Sequence, residues 1–382
     1  MKIKNLIVFG TRPEAIKMAP LVKAFEQTAG FETRVCITAQ HREMLDQVLQ
    51  FFEITPQYDL NLMRPNQNLY SLTATIIESM KPVLEEFKPD YVYVHGDTTT
   101  TMAAALAAFY SVAKVCHVEA GLRTFNKRNP FPEEMNRSIA GRLTDFHFAP
   151  TEASKENLLK ENIPEKDILV TGNTVIDALF FSVEKLKKGN YSDPEIEQLK
   201  KNIDFSKKII LITGHRRENH GQGFIDICKA LKEIAQKHPE ALLVYPVHLN
   251  PNVQKPVYDL LGNISNIRLI DPLSYPAFVW LMEKSYIIIT DSGGVQEEAP
   301  SLGKPVLVMR NTTERPEAVE AGTVILVGTN TQKIVSETKK LLNDKNHYEA
   351  MSKTHNPYGD GKACARICGF IKQICGWTRI NG

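Results

Sequence analysis

Short runs rich in Val and Ile alternate with amphipathic helical stretches through most of this chain, and that alternation is its strongest constraint: it demands parallel sheets built from βαβ units. The first set of runs is Leu6 to Gly10, Thr33 to Thr38, Tyr91 to His95, Lys114 to Val118, Phe146 to Ala149 and Ile168 to Val170. A second set is Ile209 to Thr213, Leu242 to Pro246, Ile267 to Ile270, Tyr286 to Thr290, Pro305 to Met309 and Val324 to Val327. Between Lys185 and Lys208 the chain turns Lys, Asp, Glu and Asn rich and loses such runs, as an inter-domain connection does. With 382 residues the chain also exceeds the size at which one core stops growing. The expectation is an α/β protein of two Rossmann-like domains, 1–186 and 187–356, with a terminal helix at 357–382 that packs back on the first.

Composition narrows the function classes. Lys plus Arg number 46 against 44 Asp plus Glu, too small an excess to drive nucleic-acid or anionic-membrane binding through charge. Any bound anion must be met by local residues. No apolar stretch approaches the ~20 residues that cross a bilayer, and the start reads as a strand rather than a secretion signal, so a cytoplasmic protein is expected. The cysteines Cys36, Cys116 and Cys228 are scattered, while Cys364, Cys368 and Cys375 stripe one face of a terminal helix and follow no zinc or redox spacing.

In parallel sheets ligands meet the carboxyl ends of strands, so the residues just past each run carry the chemistry. The first run ends in Gly10-Thr11-Arg12-Pro13-Glu14, where Arg12 and Lys17 either strengthen a helix amino terminus for an anion or are ordinary surface charges. Asp97 and Glu119 leave neighbouring runs as candidate proton-transfer acids; their ordinary alternatives are a helix cap for Asp97 and an ion pair with Arg123 for Glu119. Glu133 and Glu134 fall in the first turn of a helix begun by Pro132, and Glu133 has a simple surface partner four residues on in Arg137.

In the second half, Gly214-His215-Arg216-Arg217-Glu218-Asn219 brings a histidine and two guanidiniums to a strand end, suited to neutralising a diphosphate. Thr290-Asp291-Ser292-Gly293-Gly294 is a small-residue turn into a helix capped by Ser292, with backbone N–H groups open to phosphate and Glu298 one turn on for ribose hydroxyls. No G-x-G-x-x-G follows the first strand, no G-x-x-x-x-G-K-[ST] is present, and no metal-ligand spacing is visible. No cofactor and no metal are expected.

Five segments taken together resemble the non-hydrolysing UDP-N-acetylglucosamine 2-epimerases: Phe9-Gly10-Thr11-Arg12-Pro13-Glu14-Ala15, His95-Gly96-Asp97-Thr98, His117 to Arg123, Gly214 to Asn219, and Asp291 to Glu298. The resemblance spans nearly the whole chain. It implies a glycosyltransferase B type fold with the substrate in the interdomain cleft. It also implies reversible inversion of C2 of UDP-N-acetylglucosamine to UDP-N-acetylmannosamine, through UDP elimination, a 2-acetamidoglucal intermediate and re-addition. The product would supply surface polysaccharides, and the family expectation is a homodimer.

Carried over position by position, the resemblance makes Asp97, Glu119, Glu133 and His215 catalytic. It makes Arg12, Lys17, Phe278, Ser292, Gly293, Gly294, Glu298 and Arg315 substrate-binding. It implies a regulatory UDP-N-acetylglucosamine site with Gln40, Gln67 and His248, although Glu43 and Asn66 stand where some relatives carry Gln and Arg. The rival readings are a hydrolysing epimerase, a glycosyltransferase and a non-catalytic nucleotide-sugar sensor.

Overall fold

The computed structural model describes residues 2–381 apart from 40, 41, 63, 65, 66, 190 and 314, and the side chains of 42, 43 and 377–381 also lie outside the description. Two parallel sheets organise it. The first has seven strands: β1 (Ile3–Phe9), β2 (Phe31–Ile37), β3 (Tyr58–Asp59), β4 (Tyr91–His95), β5 (Lys114–Val118), β6 (Phe146–Ala149) and β7 (Ile168–Val170), in the order β3-β2-β1-β4-β5-β6-β7. The second has six: β8 (Lys208–Thr213), β9 (Ala241–Pro246), β10 (Ile267–Ile270), β11 (Ile287–Thr290), β12 (Val306–Val308) and β13 (Val324–Leu326), in the order β10-β9-β8-β11-β12-β13. The first sheet holds one strand that the sequence did not announce, the two-residue β3, too short to leave an apolar run.

Both orders are those of a doubly wound sheet. The chain adds strands on one side of its first strand, then returns to add the rest on the other, which leaves a switch point between β1 and β4 and another between β8 and β11. Helices supply the covering layers by ordinary amphipathic spacing. In Gln222–Lys237, Phe224, Ile227, Cys228, Leu231 and Ile234 recur at the i, i+3, i+4, i+7 period and bury against Ile210, Ile212, Leu243, Tyr245 and Ile289 of the second sheet. Each such side chain contributes about 1.5–3 kcal/mol on burial.

Contacts divide the chain into one unit of Met1–Ala178 with Tyr358–Gly382 and another of Leu179–Pro357. The division falls inside the helix Thr174–Lys187. The polar stretch after Lys185, expected as a bare connection, instead contains the helix Pro194–Asn202, capped by Asp193. Its polarity is that of a helix with a narrow apolar face, on which Ile196 and Leu199 are buried. The terminal helix Ala363–Asn381 belongs to the first unit, where Phe370 packs edge-on against Phe146 and Phe148. All six cysteines are free thiols, and Cys364 and Cys368 face inward from that helix. No described helix is long and apolar enough to cross a membrane.

Candidate active site

In the first unit the loops after β1, β4 and β5 gather the candidate groups at one switch point. Gly10 has no room for a side chain, since a Cβ there would lie 2.1 Å from Thr38 Oγ1 and 2.7 Å from Thr100 Oγ1. Thr11 then caps the helix Arg12–Gln27 in a capping box with Glu14. The buried Glu14 carboxylate accepts from the Gly10 and Thr11 amides at 3.0 and 2.8 Å and from Thr98 Oγ1 at 2.6 Å, so it fastens the β1 and β4 turns together. Burial pushes its proton affinity above the usual carboxylate range, against the pull of those hydrogen bonds. Arg12 opens the same helix, half-buried.

Asp97 is not the helix cap. Thr98 takes that place by accepting from the Thr101 amide, and Asp97 Oδ2 accepts from Arg137 Nε and Nη2 at 3.0 and 2.6 Å. Glu119 does not pair with Arg123, whose guanidinium makes a two-pronged bridge to Glu161 at 2.7 and 3.0 Å. Glu119 Oε2 instead accepts from Lys17 Nζ and from Asn173 Nδ2, the latter at 2.9 Å, with His95 Nε2 3.7 Å away. The backbone at Glu119 is left-handed, φ +62°, a strained conformation for a glutamate of the order of 1–3 kcal/mol. Gly121 follows at φ +92°, and a Cβ there would lie 2.2 Å from the Ser154 carbonyl oxygen.

The two adjacent glutamates of the helix Glu133–Leu143 separate by partner. Glu134 is buried and accepts from the Thr124 and Phe125 amides at 3.0 and 2.8 Å and from Arg137 Nη1 at 3.0 Å, which makes it structural. Glu133 has no hydrogen bond to a described residue, and Arg137, its expected surface partner, is occupied by Asp97 and Glu134. Asn136 Nδ2 donates to the Asp97 carbonyl at 2.9 Å, tying this helix to the β4 turn.

The second unit repeats the logic at its own switch point. Asp291, after β11, is fully buried, and its Oδ2 accepts from the His215 and Arg216 amides at 2.9 and 2.8 Å. His215 is half-exposed and stacks on His248 with ring centroids 5.2 Å apart. Burial holds its pKa below the ordinary histidine value, with Asp291 opposing and His248 and Arg216 adding to the drop. Ser292 stands at the cap position of the short helix Gly293–Glu298, but its side chain makes no capping bond, so the expected hydroxyl cap is not formed.

Around that turn, a Cβ on Gly293 would lie 3.8 Å from Arg216 Nη2 and 4.0 Å from Arg315 Nη2, so two guanidiniums flank it. Arg315 is anchored by the buried Glu297, and Gly294 has Glu298 alongside. Glu298 is buried near the Tyr275 hydroxyl, 3.5 Å away, in the loop and helix that also carry the half-buried Phe278. This turn offers backbone N–H groups and two cations to a diphosphate.

Of the regulatory candidates, Gln67 lies half-buried in the first unit and His248 exposed in the second, while Gln40 lies outside the described residues. Among the described residues no cluster of three or more His, Cys, Asp or Glu is placed to hold a metal ion.

The model of the family described as UDP-N-acetylglucosamine 2-epimerase matches residues 23–372. The chain belongs to the UDP-N-acetylglucosamine 2-epimerase family. A UDP-N-acetylglucosamine 2-epimerase of Yersinia pestis is 61% identical over 371 residues, covering 97% of this chain and 99% of the relative. The crystal structure of the Neisseria meningitidis UDP-GlcNAc 2-epimerase bound to UDP-GlcNAc superposes with a TM-score of 0.87 at 56% identity, covering 97% of this chain and 100% of that one. The Methanocaldococcus jannaschii UDP-GlcNAc 2-epimerase, in complex with UDP-GlcNAc and UDP, does so at 0.78 and 34%, again over 97% and 100%. As a member of this epimerase family the chain is an enzyme, with two Rossmann-like units of the glycosyltransferase B type.

The sequence assigned no role to Asn173 and His95, which lie beside Glu119, or to Glu297, which anchors Arg315, and it paired Arg137 with Glu133 where the structure pairs it with Asp97 and Glu134. Asn173 carried a readable signal, because it lies just past β7 as Glu119 lies just past β5. Arg137 did not, because its partner depends on how the helix Glu133–Leu143 is rotated.

Proposed function

We propose that this enzyme interconverts UDP-N-acetylglucosamine and UDP-N-acetylmannosamine by eliminating UDP to a 2-acetamidoglucal and adding it back with C2 inverted. The observation that carries the reading is the pair of acids at the adjacent ends of β4 and β5, Asp97 and Glu119, each held by its own cation, with the uncommitted Glu133 on the helix tied to the β4 turn. The relatives bound to UDP-GlcNAc and UDP support the choice of substrate.

C2 of this sugar has no neighbouring carbonyl, so its hydrogen is barely acidic until C1 becomes electron-poor. Breaking the C1–O bond does this: both electrons leave with the diphosphate oxygen, the ring gains oxocarbenium character, and a carboxylate takes the C2 proton. In the return step a carboxylic acid delivers a proton to the other face while UDP re-attacks C1. In this reading Asp97, Glu119 and Glu133 move the protons, and Arg12, His215, Arg315 and the Ser292-Gly293-Gly294 turn balance the diphosphate charge. Lys17, Phe278 and Glu298 complete the contacts to the nucleotide sugar.

Incubation with UDP-N-acetylglucosamine in heavy water tests this. Both UDP-sugars should be recovered with deuterium at C2; free N-acetylmannosamine with UDP would mean a hydrolysing enzyme instead, and unexchanged substrate would end the proposal. Asp97→Asn and Glu133→Gln should each lower kcat by roughly a hundred- to ten-thousand-fold. The same reading has the enzyme working in the cytoplasm as a homodimer and supplying surface polysaccharide. It also gives Gln40, Gln67 and His248 to a regulatory UDP-N-acetylglucosamine site. Light scattering at the monomer mass, or a hyperbolic rate curve unaltered by Gln67→Ala, would remove the dimer or the regulatory site respectively.

A further inference from the structure

We infer that Asp291 is the positioning residue for His215, holding its ring with the proton on Nδ1 so that Nε2 is the nitrogen that meets the departing diphosphate. This rests on the reading of His215 as a group that works on the diphosphate, and adds the residue through which it is controlled.

The two oxygens of Asp291 divide their work. Oδ2 accepts from the His215 amide, the Arg216 amide and Asn219 Nδ2, at 2.9, 2.8 and 3.4 Å, and so shapes the loop that carries His215. Oδ1 is buried with no hydrogen-bond partner among the described residues and lies 3.6 Å from His215 Nδ1. A buried carboxylate oxygen without a donor is costly, so a donor within reach is strongly favoured. The ring nitrogen is just beyond hydrogen-bond range, and a small rotation of the half-exposed imidazole closes the gap.

The stack with His248, interplanar angle 15°, restrains how that ring turns. His248 is itself oriented, because its Nδ1 accepts from the Asn250 amide at 3.1 Å. The charged and titratable groups that face His215 are Asp291 from the β11 turn, His248 from the loop after β9, and Arg216 from its own loop. Only Asp291 favours the imidazolium; burial, His248 and Arg216 oppose it.

With Nδ1–H committed to Asp291, Nε2 is left free to take up a second proton from solvent, and the imidazolium so formed presents that Nε2–H to the diphosphate. As the C1–O bond breaks and its electron pair passes to the diphosphate oxygen, that N–H donates to the oxygen gaining charge. The carboxylate behind the ring stabilises the imidazolium in doing so. This is the electrostatic arrangement by which a buried acid orients a working histidine.

Nitrogen-15 NMR of the histidine-labelled native enzyme, with the His215 signals identified by their loss in His215→Gln, reads the tautomer directly. The neutral ring should carry its proton on Nδ1. In Asp291→Asn the proton should move to Nε2, the pKa of His215 should fall, and kcat should drop on the order of a hundredfold with KM little changed. Adding Asp291→Asn to His215→Gln should cost little more than His215→Gln alone. A native ring protonated on Nε2, or two variants whose effects simply multiply, overturns the inference. Normal turnover in His215→Gln would instead bring down the role given to His215, while the native spectrum still decides the pairing with Asp291.

Discussion

Glu119 is the residue at which local conformation and chemistry conflict most openly. A glutamate with φ +62° gains nothing from its backbone, yet it is held there by Lys17, Asn173 and the side-chain-free Gly121 two residues on. Strain retained by so many partners is what a working group shows more often than a structural one. Lys17 donates to Glu119 and so favours its charged form. In Lys17→Met the limb of the pH–rate profile that requires ionised Glu119 should move to higher pH; a limb that stays in place would show that Lys17 does not tune this acid. The sequence disclosed the acids themselves. It did not disclose that Glu134 is consumed by two amides and an arginine while its neighbour Glu133 is left uncommitted, because that choice depends on where the 124–125 backbone comes to lie.

At the scale of elements, the strand ends were legible and the crossings were not. Runs such as Tyr91–His95, Lys114–Val118 and Phe146–Ala149 coincide with β4, β5 and β6, since a strand buried on both faces leaves an unbroken apolar signature. The docking of the terminal helix depends on contacts more than 180 residues apart in sequence, which no local pattern records. Asp177 accepts from the Ala363 and Cys364 amides at 3.1 and 2.9 Å, supplying from another helix the cap that the terminal helix lacks in its own sequence. Where the chain arrives there, Gly172 and Gly359 approach closely at φ +86° and +129°, and the Asn173 amide donates to the Tyr358 carbonyl at 2.7 Å. Asp177→Ala should therefore destabilise the enzyme by about 1–2 kcal/mol, the value of a lost helix cap. A urea titration would register this as an earlier midpoint, and hydrogen exchange should speed up most at residues 363 and 364. Unchanged protection at those amides would show that the cap contributes nothing.

For the molecule as a whole, pH is the informative variable. His95, His117 and His147 sit on adjacent central strands, with His117 directly opposite His147 in register, and all three are buried. Burial is the largest cause that pushes their pKa values down, to about 4, about 4 and about 3. The unfolded chain takes up protons near pH 6.5 and the folded one does not. The stability that these neutral rings allow is therefore complete above pH 6.5 and is lost as pH falls toward 4, by about 2 kcal/mol per histidine at pH 5. Glu14 and Asp177, raised by burial, work in the opposite sense as they protonate, while His215, lowered by burial, works in the same sense as the three buried histidines. Urea midpoints at pH 7.5 and pH 5 should differ strongly, and less so in His147→Asn; equal midpoints would mean that the histidines ionise within the fold.

The sequence by itself determined the α/β class, two parallel sheets and the strand ends that bear the candidate acids, because apolar runs and turn residues are local facts that survive in one dimension. The family followed from five short segments for the same reason. Only the tertiary structure decided which charges are spent on one another: Arg123 on Glu161, Arg137 on Asp97 and Glu134, Lys17 on Glu119, Arg315 on Glu297. A salt bridge depends on two side chains meeting in space, and apart from Glu134 and Arg137, which lie one turn apart on the same helix, these partners are distant along the chain and meet only through the fold. Which carboxylate and which histidine remain available for substrate is thus a property of packing.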